Sequence, residues 1–135
     1  MGYPIEEIEG IGDVYGTKLE ANGIKTTDDL LKACATPTGR AKIAEDCGIS
    51  GKLVLTWSNM ADLMRINGIG KQFSELLEAA GVDTVKELRH RNAANLAAKM
   101  AEVNAEKKLA KASPSESQCT EWIEQAKQLD AVLEY

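Results

Sequence analysis

The chain repeats itself, and this limits its fold more than any other feature of its sequence. Ile5-Glu6-Glu7-Ile8-Glu9-Gly10-Ile11-Gly12 is matched by Leu63-Met64-Arg65-Ile66-Asn67-Gly68-Ile69-Gly70, at a constant offset of 58. The register continues without a gap, pairing Tyr15 with Phe73, Leu19 with Leu77, Gly23 with Gly81, Ile24 with Val82, Thr26 with Thr84 and Leu30 with Leu88. Farther on, Trp57 matches Trp122 and Ala61 matches Ala126 at an offset of 65. The second copy therefore carries a seven-residue insertion, between about Glu102 and Ser113. Self-similarity at a fixed period predicts one structural unit used twice, here residues 1–60 and 61–135. No Pro/Gly/Ser linker lies near 59–62, so the last helix of the first copy is expected to run directly into the second.

Each copy reads as about five short helices, in an all-α chain. Leu53, Trp57, Met60, Ala61 and Met64 share one helical face, as do Leu76, Leu77 and Ala80, and no stretch alternates for long. Gly23-Ile24, Gly48-Ile49 and Gly81-Val82 each place a glycine and then a β-branched residue after a helical stretch, which predicts left-handed C-caps. Thr84-x-x-Glu87 reads as a capping box, Thr26-x-x-Asp29 as a weaker one, and Ser115 with Gln118 as the start of the last helix. Aromatics are 4% of the chain, so the core is expected to be aliphatic with one tryptophan anchor per copy, Trp57 and Trp122. Tyr15 and Phe73 read as core plugs, and Cys34 and Cys47 as small buried hydrophobes.

Several function classes find no support. The longest aliphatic run is Leu53 to Leu55, too short to span a membrane. The opening residues carry neither a basic patch nor an apolar segment, which makes a cytoplasmic location the expectation. Cys34, Cys47 and Cys119 show no metal-ligand spacing, and the single His90 lies far from them, so no metal, cofactor or disulfide framework is expected. His90 itself reads as a solvent-facing side chain. No catalytic motif is present, and no catalytic residue or small-molecule substrate is assigned.

The chemistry-bearing pattern is apolar-x-x-apolar-x-Gly-apolar-Gly-x-x-x-small-x-x-apolar. It is carried by Ile5, Ile8, Gly10, Ile11, Gly12, Gly16 and Leu19, and again by Leu63, Ile66, Gly68, Ile69, Gly70, Ser74 and Leu77. Glycine permits unusual backbone angles in a tight connection. A helix starting there presents free N–H groups to an anion. The pattern resembles the helix-hairpin-helix motif. That resemblance implies two tandem repeats in a SAM-like helical bundle, packed as a pseudo-twofold unit, with hairpin amides on the phosphates of DNA and no sequence preference. Carried onto this chain, the phosphate-facing positions are Gly68, Ile69 and Gly70 with Lys71, and more weakly Gly10, Ile11 and Gly12. The stretches IEGIGDVYGTKLEANGIKTTDDLL, WSNMADLMRINGIGKQFSELLEAAGVDTVKEL and EWIEQAKQL also resemble a bacterial family of short tandem helix-hairpin-helix proteins, domain of unknown function number 4332. That family implies architecture and no known activity.

Charge separates the two copies. The chain carries a net charge of −5, unlike most nucleic-acid binders. Glu6, Glu7, Glu9 and Asp13 surround the first Gly-Ile-Gly and would repel phosphate, whereas Arg65, Asn67, Lys71 and Gln72 surround the second. Lys86, Arg89, Arg91, Lys107, Lys108 and Lys111 make residues 84–112 locally basic and form the expected supporting surface. The expectation is a non-enzymatic module in weak, nonspecific contact with nucleic-acid backbone, mainly through the second copy. The alternative is a protein-interaction adaptor whose acidic first copy docks a basic partner.

Overall fold

The computed structural model describes residues 2–135, and every regular element among them is helical. A single 3-10 turn at Ile5–Glu7 precedes α1 (Gly12–Ala21), α2 (Thr27–Ala33), α3 (Pro37–Cys47), α4 (Gly51–Leu63), α5 (Lys71–Ala79), α6 (Val85–Leu88), α7 (Ala93–Lys107) and α8 (Glu116–Gln128). The fold is all-α, but the number of helices per half is lower than the sequence suggests. The element before each Gly-Ile-Gly is not a separate α-helix. In the first half it is the three-residue turn, and in the second it is the end of α4. The helices α2 and α6 begin at 27 and 85, and α4 and α8 begin at 51 and 116, in step with the sequence offsets. The connection from α7 to α8 has eight residues where that from α3 to α4 has three.

Local chemistry sets most boundaries. Thr26, Thr36, Ser50, Thr84, Asn92 and Ser115 each accept the amide three residues on, which satisfies a donor the helix itself leaves unpaired. The capping boxes invert the expected ranking. Thr26 and Asp29 form a complete box. Thr84 caps alone, because the carboxylate of Glu87 turns to Arg91, 3.1 Å away. At the C-terminal ends Gly23, Gly48 and Gly81 take φ of +83°, +64° and +96°. The residues after them, Ile24, Ile49 and Val82, each donate an amide five residues back at 2.9 Å and are buried.

Two hydrophobic cores result. The first gathers Ile5, Ile8, Ile11, Leu19, Leu30, Val54, Trp57 and their neighbours. The second gathers Leu63, Ile66, Ile69, Leu76, Leu77, Leu88, Met100 and Trp122 among others. Helix α4 runs between them. Its Trp57, Met60 and Ala61 face the first core, as does Met64 just beyond it, while its last residue, Leu63, faces the second. The same ring pair anchors each core: Tyr15 on Trp57 at 5.1 Å and 59°, and Phe73 on Trp122 at 5.2 Å and 57°. Tilted pairs of this kind add about 0.5–1.5 kcal/mol beyond the area they bury.

Past α8 the chain returns to the first half. Leu133 enters the first core, and the Glu134 amide donates to the Ala35 carbonyl at 2.7 Å. Arg40, only 8% exposed, donates to the carbonyls of Cys34 at 2.9 Å and Glu134 at 2.6 Å, and its guanidinium lies 5.3 Å from the Tyr135 ring centre. The Tyr135 hydroxyl donates to Asn59. Among the described residues no helix is long and apolar enough to cross a membrane.

Candidate functional site

The two Gly-Ile-Gly turns share their inner architecture. Gly10 and Gly68 have φ of +94° and +98°. A Cβ on either would stand 3.4 Å from Nε1 of Trp57 or 3.0 Å from Nε1 of Trp122, so each first glycine is held by conformation and by its tryptophan. Ile11 and Ile69 are 1% and 0% exposed, and their amides donate back to Ile8 at 3.3 Å and Ile66 at 3.1 Å. These two residues cannot meet phosphate as the resemblance implies, since both side chain and N–H point inward. The second glycines differ. Gly12 has φ of +59°, while Gly70 lies in the extended region at −115°.

The outward-facing donors come after the turn. Helix α5 begins at Lys71 with Gly70 as its N-cap, no side-chain cap and no acidic residue in its first turn. The amides of Gly70, Lys71 and Gln72 find no acceptor among the described residues. Of the described α-helices only α1 and α5 lack a side-chain cap, and α1 carries Asp13 in its first turn. An acidic first-turn residue offsets the positive end of the helix dipole, so among the described α-helices α5 alone has neither a side-chain cap nor a first-turn acid. The second turn is also the more firmly held. The side chain of Gln125 accepts the Asn67 amide at 2.9 Å and donates to the Asn67 carbonyl at 3.2 Å.

The cations expected to support this site separate into groups. Lys71 is half-exposed, with its Nζ 3.5 Å from Glu9 of the first turn, so the two turns are neighbours. Arg65 is 17% exposed, paired with Asp62 at 2.7 Å and donating to the Asp130 carbonyl at 2.9 Å, so it braces the fold and does not face a ligand. Arg89 likewise donates to the Leu129 carbonyl at 2.9 Å, and its Nε is buried without an acceptor. Arg91 donates to Glu87 and to the Gly81 carbonyl, at the far end of α5. That end is about 13 Å from Lys71 along a nine-residue helix. Lys86 is exposed on α6, which begins beyond that same far end. Lys107, Lys108 and Lys111 are exposed, and the loop that carries Lys108 and Lys111 returns to the second turn, where the Lys111 amide donates to the Gln72 side chain at 3.4 Å. The basic segment is thus not one surface.

A concavity of about 290 Å³ lies beside the site, lined by Met60, Glu75, Glu78, Ala79, Lys107 and Leu109. Burial raises the carboxyl pKa of Glu75, as does the charge of Glu9, while Lys71 lowers it. Burial also raises Glu78, followed by Asp83 and Glu75, and its Oε2 is buried without a partner. Sequence reading missed this pair, although carboxylates three apart on one helix share a face and signal their proximity. In the first half Glu20 hydrogen-bonds Glu6, which lowers Glu6 and raises Glu20. The three thiols are buried, and burial lifts all of them, Cys119 to about 11, which keeps them protonated at neutral pH. Among the described residues no cluster of His, Cys, Asp and Glu could hold a metal ion.

In comparison with known proteins, the family model described as a domain of unknown function, DUF4332, matches residues 9–129. No curated protein and no solved structure matches the chain.

Proposed function

The chain belongs to the DUF4332 family, a domain of unknown function, and on the geometry above we propose that it is a non-enzymatic helix-hairpin-helix module that contacts nucleic-acid backbone through its second Gly-Ile-Gly turn. One observation carries this reading. The start of α5 combines unpaired amides, a first turn without side-chain cap or acid, and Lys71 at the first helical position, while six of the other helices begin at side-chain caps. Amides and a cation converging on one point bind an oxyanion and read no base. The contact is therefore sequence-nonspecific and weak, about 10⁻⁴ to 10⁻⁶ M at physiological salt. Lys111 and Lys108, on the loop held to Gln72, extend the contact, whereas Lys86 on α6 and Arg91 after it lie past the far end of α5, too distant to share one phosphate with Lys71.

The test is fluorescence anisotropy of a labelled 20-mer, single- and double-stranded, at 50 and 200 mM salt. Neutralising two or three phosphates predicts that affinity for duplex falls about 10- to 40-fold between the two salts. Lys71→Glu should abolish the interaction. No binding at 50 mM salt with protein at about 100 μM overturns the reading. A basic protein partner for the first half would then be sought. Val14, 69% exposed beside Asp13 on α1, favours that second reading, because an apolar side chain next to a carboxylate suits a protein surface better than a phosphate.

A further inference from the structure

We infer that Glu9 acts as a built-in phosphate surrogate: the acidic first turn occupies Lys71 of the second and holds that contact in check until a polyanion displaces it. This inference rests on the nucleic-acid reading above and concerns the regulation of the same site. Its basis is the one ion pair that joins the two turns among the described residues. Oε2 of Glu9 lies 3.5 Å from Nζ of Lys71, across 62 positions of sequence. A carboxylate oxygen at that distance stands where a phosphate oxygen would pair with the same lysine, and the two cannot both be bound at full strength. The chain thus supplies its own competitor.

The pair is built to be displaced. Its side chains are 48% and 42% exposed, and an ion pair so open to water contributes little and is screened by salt. Glu75, one helical turn beyond Lys71, is the other carboxylate facing the lysine. On the same segment as Glu9, Glu7 is exposed and has no cationic partner among the described residues, so it carries the same charge without the contact. It is the natural control. The competing carboxylate also gives a reason why a chain with amides and a lysine at one turn should carry acids around the other.

The experiment compares the binding of the full chain and its variants to the labelled 20-mer at 50 mM salt. Glu9→Gln should tighten binding about two- to fivefold, the range open to an exposed ion pair. Glu7→Gln should tighten it less, and the gain from Glu9→Gln should vanish when Lys71 is also changed to Gln. Equal gains from Glu9→Gln and Glu7→Gln, or a gain that survives the loss of Lys71, would reduce Glu9 to general charge and overturn it, while the nucleic-acid reading stands. If no variant binds, Glu9→Gln included, reading and inference fall together. Both glutamates lie at the surface, and matching circular dichroism confirms that the variants are folded.

Discussion

In the first half of the molecule the Thr27 amide donates to the backbone carbonyl of Tyr3 at 2.8 Å. In the second, the amide of Val85, 58 positions on, donates to the carboxylate of Asp62 at 2.8 Å. The two amides need the same thing, an acceptor to start a short helix, and the halves find it differently. Tyr3 lies in an extended segment with its carbonyl free. The second half reaches the same point through the end of α4, and there a buried side chain supplies the acceptor. That carboxylate then holds Arg65, which braces Asp130. Continuing one helix from half to half thus draws in a charged network that the first half does without.

The comparison is strongest where the halves agree. Trp57→Ala and Trp122→Ala each empty the centre of one core, and each is expected to cost about 3–5 kcal/mol in urea denaturation. A large cost for one tryptophan and a small one for the other would show that the halves do not share a packing scheme. The next largest effect is one-sided. Asp62→Ala leaves the half-buried Arg65 without a counter-charge and the buried Val85 amide without an acceptor, a loss of about 3 kcal/mol. Asp62→Asn, which keeps an acceptor, should cost less. The first half has no side chain to remove at the equivalent point.

The second glycines of the two turns separate the halves more finely. At Gly12 a side chain has room but the left-handed backbone opposes it, so Gly12→Ala should cost about 1–2 kcal/mol. At Gly70 neither space nor conformation opposes a methyl group. Gly70→Ala should be neutral or stabilise by up to about 1 kcal/mol, by restricting the unfolded chain. Equal costs in thermal melts would erase this distinction. The smallest effect is set by pH. Burial raises the folded-state pKa of Glu78 above its ordinary 4.5. A carboxyl shifted upward contributes most stability below its unfolded pKa and loses it as pH rises through the folded value. Glu78→Gln should therefore stabilise the chain at pH 7, by less than about 1 kcal/mol. That gain should fade as pH drops through the raised value toward 4.5, measured as the difference between two melting curves.

What is local in this fold was legible in the sequence. Caps, C-terminal glycines and apolar faces depend on residues three to five apart, and Ser115 with Gln118, Gly48 with Ile49, and the α4 face all appear as read. That Tyr15 and Phe73, and Trp57 and Trp122, hold equivalent places was legible through the offset, but not that each ring lies on its tryptophan. What escaped was set by side chains with two possible partners. Glu87 left its capping box for Arg91, Arg65 turned to Asp62 and a carbonyl 65 positions away, and Lys71 met Glu9. Gly12 and Gly70 occupy the same motif position yet differ in φ, which the amino-acid type cannot encode.

The return of the chain to its first half has a consequence for how the protein is made. Leu133 completes a core otherwise built from residues up to Met64, and Glu134 accepts from Arg40. Ribosomes add about 5–20 residues per second, so the segment from Met64 to Leu133 takes roughly 3–14 s to emerge. For those seconds the first-made half stands with the Leu133 seat and the Arg40 guanidinium open to water, and the second half has its full core before the first. The half translated first is the one finished last.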